Sequence, residues 1–270
     1  MPFIELKDYR LHFRQYGSGP AIVFLHGLSF DSRMWEPQYE FFQKEYMTIG
    51  LDFRGHGFSD APDIRYSIDI YIADVSALLN ALHVHSAIIV GLSMGGAVAV
   101  EFTLQFPQRV SALVLASSAV AGHTWSDSYA KVMEKIRQSE NPDELSSNLR
   151  QYWLNDPMFK GIRSRIEYAR LLRDMATQFS GKPLLNHGDD FDHATPDISR
   201  LQDIASPACV LHGGEDRRDF RLIARKLATN ISRVEWHQIE GVRHMINLEA
   251  PKRFNGVLQQ FLYRVDAGGI

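Results

Sequence analysis

The sequence predicts an α/β protein built on a mostly parallel, doubly wound sheet, with a helical segment inserted before the last strands. Three observations predict it. Short apolar runs alternate with segments of helical spacing through the first 120 residues. The runs are continuous rather than alternating, as in strands covered on both faces. Between about Ala121 and Arg200 no strand pattern is evident, and it then returns.

Taken in order, Phe3 to Lys7 and Tyr9 to Tyr16 read as a hairpin with Asp8 at its turn. Gly17-Ser18-Gly19-Pro20 is a loop. Strands are expected at Ala21 to Leu25, Met47 to Leu51, Ala87 to Val90 and Ala112 to Ala116. Ser67 is placed to cap a helix whose Tyr71, Val75, Leu78, Leu79 and Leu82 share one face. A second helix follows Ser93 and stops at Pro107. Amphipathic stretches run from Ser126 to Gln138, Pro142 to Tyr152 and Gly161 to Phe179. Strands return at Ala208 to His212 and Val234 to Ile239, and a terminal helix carries Phe254, Val257, Leu258, Phe261 and Leu262. Residues 1–120 and 201–270 are therefore expected to form one core, with 121–200 as an inserted helical cap, or lid.

Composition excludes several classes. In 270 residues, 45% are apolar and 23% charged, as in ordinary soluble enzymes. A net charge of −3 gives no reason to expect nucleic acid or an anionic membrane as partner. Met1 to Asp8 has no apolar core like that of a signal peptide. The uncharged stretch Ala87 to Val100 is too short to span a bilayer. The single cysteine, Cys209, cannot form an internal disulfide, and a cytoplasmic location is expected. No feature sets an oligomeric state.

The chemistry centres on Gly91-Leu92-Ser93-Met94-Gly95-Gly96, which directly follows one apolar run and opens a helix. A strand, a G-x-S-x-G turn and a helix form a nucleophile elbow, with the serine exposed on a tight bend. A serine hydroxyl is a weak nucleophile and needs a base, itself oriented by a carboxylate. In this architecture the acid and then the histidine come later in the chain. His212-Gly213-Gly214-Glu215-Asp216 ends one strand and offers Asp216, with Glu215 and Asp219 as alternatives. Among eleven histidines, only His244 follows the last strand in a Gly-flanked turn, Gly241-Val242-Arg243-His244-Met245. The oxyanion of acyl transfer needs backbone donors. The N–H of Met94 is one, and the N–H of Leu28, in the loop after Leu25, is the second. His26, in the same loop, reads as structural.

These strings, together with Asp52-Phe53-Arg54-Gly55-His56-Gly57-Phe58-Ser59-Asp60 and Met245-Ile246-Asn247-Leu248-Glu249, resemble the α/β-hydrolase superfamily on both sides of the insertion. The resemblance implies a triad of Ser93, Asp216 and His244 beneath a cap, and a structural role for His56. Serine at the elbow is unlike dehalogenases and epoxide hydrolases, which place Asp there. Hydrolases of meta-cleavage products usually carry Asn at the position of Leu92. Gly91 to Gly96 and the string after His244 are similar to 3-oxoadipate enol-lactonases and small carboxylesterases. Arg243, where relatives often have a small residue, and Arg217-Arg218, where they often have Pro, depart from that pattern.

The expected activity is hydrolysis of a small-molecule ester or lactone substrate, with no cofactor. Carbon–carbon bond hydrolysis of a diketone-type substrate by the same triad is the alternative, and a ligand receptor on this scaffold is a third reading. Trp125, Tyr129, Trp153, Tyr152 and Phe159 are candidates to line an acyl pocket, or to pack the insertion on itself. Lys160, Arg163, Arg165, Arg170 and Arg173 read as a solvated helix face with Glu167 and Asp174 as partners, in preference to a carboxylate site. His83-Val84-His85 and His187 to His193 hold metal-ligating residue types without a known site spacing, so no metal is expected.

Overall fold

A computed structural model describes residues 2–186 and 197–269. Its centre is an open eight-stranded sheet in the order β1-β2-β4-β3-β5-β6-β7-β8. The strands are β1 (Phe3–Glu5), β2 (Arg10–Tyr16), β3 (Ala21–Leu25), β4 (Met47–Leu51), β5 (Ala87–Leu92), β6 (Val110–Ala116), β7 (Ala208–Gly213) and β8 (Val234–Ile239). β2 runs antiparallel to β1 and β4, while β3 to β8 are mutually parallel. Every residue of β3, β5 and β7 is buried, which explains their unbroken apolar sequence.

From β3 the chain steps to β4 on one side, then crosses back to β5 on the other. The strand order reverses at this point, and the loops leaving the carboxyl ends of β3 and β5 diverge to open a crevice. Leu25 lies opposite Gly91 in the register. The loop starting at His26 and the turn containing Ser93 are therefore neighbours.

The helices of the sheet layers are α1 (Glu36–Phe42), α2 (Ile68–Ala81) and α3 (Met94–Gln105). Between β6 and β7 the described residues form helices only: α4 (Asp127–Arg137), α5 (Pro142–Asn148), α6 (Lys160–Arg163), α7 (Ile166–Gln178) and α8 (Lys182–Leu185), with short helical turns between them. After β7 come α9 (Arg218–Asn230), α10 (Ile246–Glu249) and α11 (Pro251–Asp266).

The structure departs from the sequence expectations locally. The hairpin turns through Lys7-Asp8, closed by the Leu6 N–H on the Tyr9 carbonyl at 3.0 Å, so β1 ends at Glu5. Ser67 stands at the N-cap of α2, but its hydroxyl makes no capping bond. The stretch from Pro142 stops being α-helical at Asn148 and widens into a π turn over Leu149–Trp153. That turn buries both Leu149 and Trp153, and Asn155 Nδ2 donates to the Arg150 and Gln151 carbonyls at 3.1 and 3.2 Å. The stretch from Gly161 breaks at an extended Arg165, whose guanidinium donates to the Leu248 carbonyl at 3.4 Å.

No helix among the described residues is long and apolar enough to cross a membrane.

Candidate active site

Ser93 joins β5 to α3 with φ +55° and ψ −118°, a strained conformation for a residue with a side chain. Its neighbours explain how the strain is held. A Cβ on Gly91 would lie 2.2 Å from the Gly95 carbonyl oxygen, and one on Gly95 would lie 2.3 Å from that of Leu25. Helix and strands meet here backbone to backbone, which only glycine allows. The Ser93 N–H donates to the Ala116 carbonyl at 3.2 Å. The Ser93 carbonyl accepts from Gly96, Ala97 and Ala119 at 2.9, 3.2 and 3.0 Å.

Met94 is the first residue of α3, so its N–H has no helical acceptor. The Leu28 N–H likewise donates to no described group. The Leu28 loop is a tight turn, with the Phe30 N–H on the Gly27 carbonyl at 3.3 Å and Ser29 at φ +63°. His26 pins it. Its Nδ1–H donates to the Gly27 carbonyl at 2.8 Å, and its Nε2 accepts from the Phe53 N–H at 3.0 Å. That pair of bonds requires a neutral ring, and burial lowers the pKa of His26 accordingly. His56 is also buried and pushed down by burial, with Nδ1 at 3.3 Å from the Arg54 carbonyl.

Asp216 follows β7 and His244 follows β8, both buried. His244 Nδ1 lies 3.0 Å from Asp216 Oδ2 and 3.2 Å from Oδ1. The Arg217 N–H holds Oδ1 at 2.7 Å. A proton on Nδ1, facing the carboxylate, leaves Nε2 as the basic nitrogen. The other carboxylates are engaged elsewhere. Glu215 pairs with Arg243 at 2.5 Å, and Asp219 accepts from Ser126 N and Oγ at 2.9 and 2.7 Å. The Arg243 N–H donates to Glu249 Oε2 at 3.1 Å, fixing the backbone just before His244. The Phe220 ring lies 4.2 Å from the imidazole, centroid to centroid. Among the described residues, no hydrogen bond joins the Ser93 hydroxyl to His244. Catalytic hydrogen bonds of this kind commonly tighten only when substrate is bound.

Ser93 opens onto a mostly apolar cavity of about 600 Å³, also lined by Leu28, Met94, Trp125, Tyr129 and Trp153. Trp125 and Tyr129 stack at 4.3 Å, and Trp153 Nε1 donates to Ser29 Oγ at 3.0 Å. Tyr152 and Phe159 lie outside the lining: Tyr152 sits under Lys135, and Phe159 packs on Trp153 and toward His244. Arg170 pairs with Asp174 across 3.8 Å on an exposed face. Arg163 instead donates to the Leu154 and Asp156 carbonyls.

Two features were not legible in the sequence. A half-buried Arg217 pairs with the buried carboxylate of Asp156 and lies over the Tyr129 ring, and His123 lines the cavity. Neither belongs to a motif, and each depends on a partner at least 61 residues away. Among the described residues no three His, Cys, Asp or Glu side chains are gathered to hold a metal. The segment His187 to His193 lies outside the described residues.

The family model of the alpha/beta hydrolase fold matches residues 20–251, and the chain belongs to that family. It is 28% identical over 267 residues to 3-oxoadipate enol-lactonase 2 of Acinetobacter baylyi, covering 97% of this chain and 96% of that protein. The crystal structure of the enol-lactonase from Burkholderia xenovorans LB400 is 25% identical with a TM-score of 0.80, covering 97% of this chain and 100% of that one. Est816, described as an N-acyl homoserine lactone degrading enzyme, is 29% identical with a TM-score of 0.76, covering 96% and 100%. A 118-residue stretch is 39% identical to an uncharacterized protein of Mycobacterium tuberculosis, spanning 44% of this chain but only about a third (35%) of that relative's length.

Proposed function

We propose that this protein hydrolyses small carboxylic esters or lactones through an acyl-enzyme. Ser93 attacks the carbonyl carbon and His244 Nε2 takes its proton. Asp216 holds the imidazole in that tautomer and stabilises the imidazolium. The N–H groups of Leu28 and Met94 receive the oxyanion of the tetrahedral intermediate. The protonated His244 then delivers its proton to the leaving oxygen, and later activates the water that releases the acid.

One observation carries this reading. A serine held at φ +55° lines an apolar cavity, on the same sheet edge as an imidazole whose Nδ1 is committed to a buried carboxylate. Leu28 and Met94, whose N–H groups donate to no described group, line the same cavity as that serine. The lactonase and esterase likenesses support the ester-type route. We propose residues 121–200 as the cap, since they supply Trp125, Tyr129 and Trp153 to the cavity wall. A substrate with an apolar acyl part suits that lining. The single buried thiol of Cys209 suits the cytoplasm, and a net charge of −3 gives no reason to expect nucleic acid as a partner.

The test is labelling with a fluorophosphonate. One probe per chain on Ser93, lost in Ser93→Ala together with p-nitrophenyl ester hydrolysis, is expected. A label on another residue, or full ester turnover by Ser93→Ala, would overturn the assignment.

A further inference from the structure

Two separate routes tie the acid and the base of the proposed triad to the helical segment between β6 and β7. One route leaves Asp216. The next residue, Arg217, donates its N–H to Asp216 Oδ1 at 2.7 Å, and its guanidinium reaches across to Asp156. Arg217 Nε donates to Asp156 Oδ1 at 3.0 Å and Nη2 donates to Oδ2, a two-pronged bond. The other route leaves His244, whose N–H donates to the Met158 carbonyl at 3.4 Å. The routes meet, because Asp156 Oδ1 also accepts from the Met158 N–H at 2.9 Å. With the bond between His244 Nδ1 and Asp216, these contacts close a ring through Asp216, Arg217, Asp156, Met158 and His244.

The far side of that ring is stiff for reasons written in its sequence. Asp156-Pro157-Met158-Phe159 is a capped turn, with Asp156 at the N-cap and proline first in the helical stretch. The Phe159 ring of this turn faces the imidazole, centroids 6.2 Å apart. The Asp156 side chain is only 1% exposed and that of Arg217 14%. Separating the two would leave a carboxylate buried without its cation, so the turn and the start of α9 do not part readily. The two parallel N–H bonds fix direction as well as distance. The same guanidinium reaches the cavity wall: Nη1 donates to Ser128 Oγ at 3.2 Å, and the group lies 5.5 Å from the centre of the Tyr129 ring.

An ion pair that served only to pack the segment would have no reason to end on the acid by one route and on the base by the other. We infer that Arg217 and Asp156 are positioning residues, acting through the Arg217 N–H and the Met158 carbonyl to hold Asp216 and His244 in a fixed orientation toward Ser93. This rests on the proposed triad. Seating the segment between β6 and β7 and aligning the base are then a single event.

The test separates alignment from stability. Arg217→Leu/Asp156→Leu removes the pair without leaving a buried charge. Saturation kinetics of inactivation by a fluorophosphonate then give kinact, which reports attack by Ser93 with His244 as base, and KI, which reports the fit of the probe. In the double variant kinact should fall about tenfold, as for a displacement well under 1 Å, while KI stays within about twofold of wild type. Arg217→Lys, which keeps a cation facing Asp156, should recover part of kinact. Wild-type kinact in the double variant, or a loss confined to KI, would overturn the inference. Asp156→Asn decides the matter should the double variant melt early. It keeps an oxygen for the Met158 N–H and weakens the hold on Arg217. Its kinact should fall with KI unchanged, and the hydrogen-bonded Nδ1 proton of His244 should move in ¹H NMR. Wild-type kinact in Asp156→Asn, or an unmoved proton, would equally overturn the inference. Failure of the triad reading would show instead as phosphonylation undiminished in His244→Ala.

Discussion

Gly95→Ala is the sharpest perturbation of the elbow. An added Cβ would meet the carbonyl oxygens of Leu25 and His26 at 2.3 and 2.6 Å. The nearer contact is about 1 Å inside ordinary van der Waals distance, and both obstacles are backbone atoms, which cannot rotate away. α3 must therefore move off β3 by roughly that amount. Overpacking of this kind costs about 3 kcal/mol, the upper part of its usual range. At about 2–4 °C per kcal/mol, Tm should fall by about 6–12 °C. The same displacement separates Met94 from Leu28, so kcat/KM should fall about 100-fold, as for other 1 Å misplacements of catalytic groups. Gly256, in the middle of α11, is the control, because a Cβ there meets nothing within 4 Å. Gly256→Ala should stabilise by about 0.5–1 kcal/mol with unchanged activity, since it only removes backbone freedom. Differential scanning calorimetry and a p-nitrophenyl ester assay read both variants. A Gly95→Ala protein that melts with the wild type and keeps its kcat/KM would refute the claim that backbone contact at this glycine sets the site.

Further outcomes follow from other contacts. Asp52 is buried, which opposes its ionisation, but bonds from His12 and the Phe58 N–H hold its pKa down to about 2. A depressed carboxyl contributes stability above its unfolded pKa and loses it as pH falls toward the folded one. The advantage of wild type over Asp52→Asn, on the order of 2 kcal/mol, should therefore shrink between about pH 4 and pH 2 in urea titrations; an advantage that stays constant across that window would contradict it. Arg217→Leu strands the buried carboxylate of Asp156 and should cost about 3 kcal/mol, much of it recovered by adding Asp156→Leu. Strict additivity of the two would show that no such pair forms. Trp153→Phe removes the bond to Ser29 Oγ and should destabilise by about 1 kcal/mol, with Ser29→Ala adding little on top.

Much of the frame was legible because the central strands β3, β5 and β7 are buried throughout and read as unbroken apolar runs. Ala21–Leu25, Met47–Leu51 and Val234–Ile239 form strands over the residues expected, each a contiguous β-rich run with clear ends. The elbow was equally legible, since glycine at 91 and 95 answers a local steric demand. The helical segment was legible only in outline. Its breaks at Asn148 and Arg165 respond to Asn155 and to the Leu248 carbonyl, which periodicity along one helix does not register. Trp125, Tyr129 and Trp153 were singled out as aromatic, but what separates them from Tyr152 and Phe159 is which face of the packed segment they occupy. Arg217 and Arg243 stood out only as departures from relatives. The structure gives each an acidic partner, Asp156 and Glu215. His123 carried no signal at all, because its meaning depends on Asp219, 96 residues later.

The most direct test of the triad is rapid acid quench of the protein during turnover of a p-nitrophenyl ester, followed by peptide mass spectrometry. The account predicts one acyl group per chain, attached to the peptide containing Ser93 and absent when His244 is replaced by Ala. An acyl group on a different peptide, or unimpaired acylation of Ser93 in His244→Ala, would contradict it.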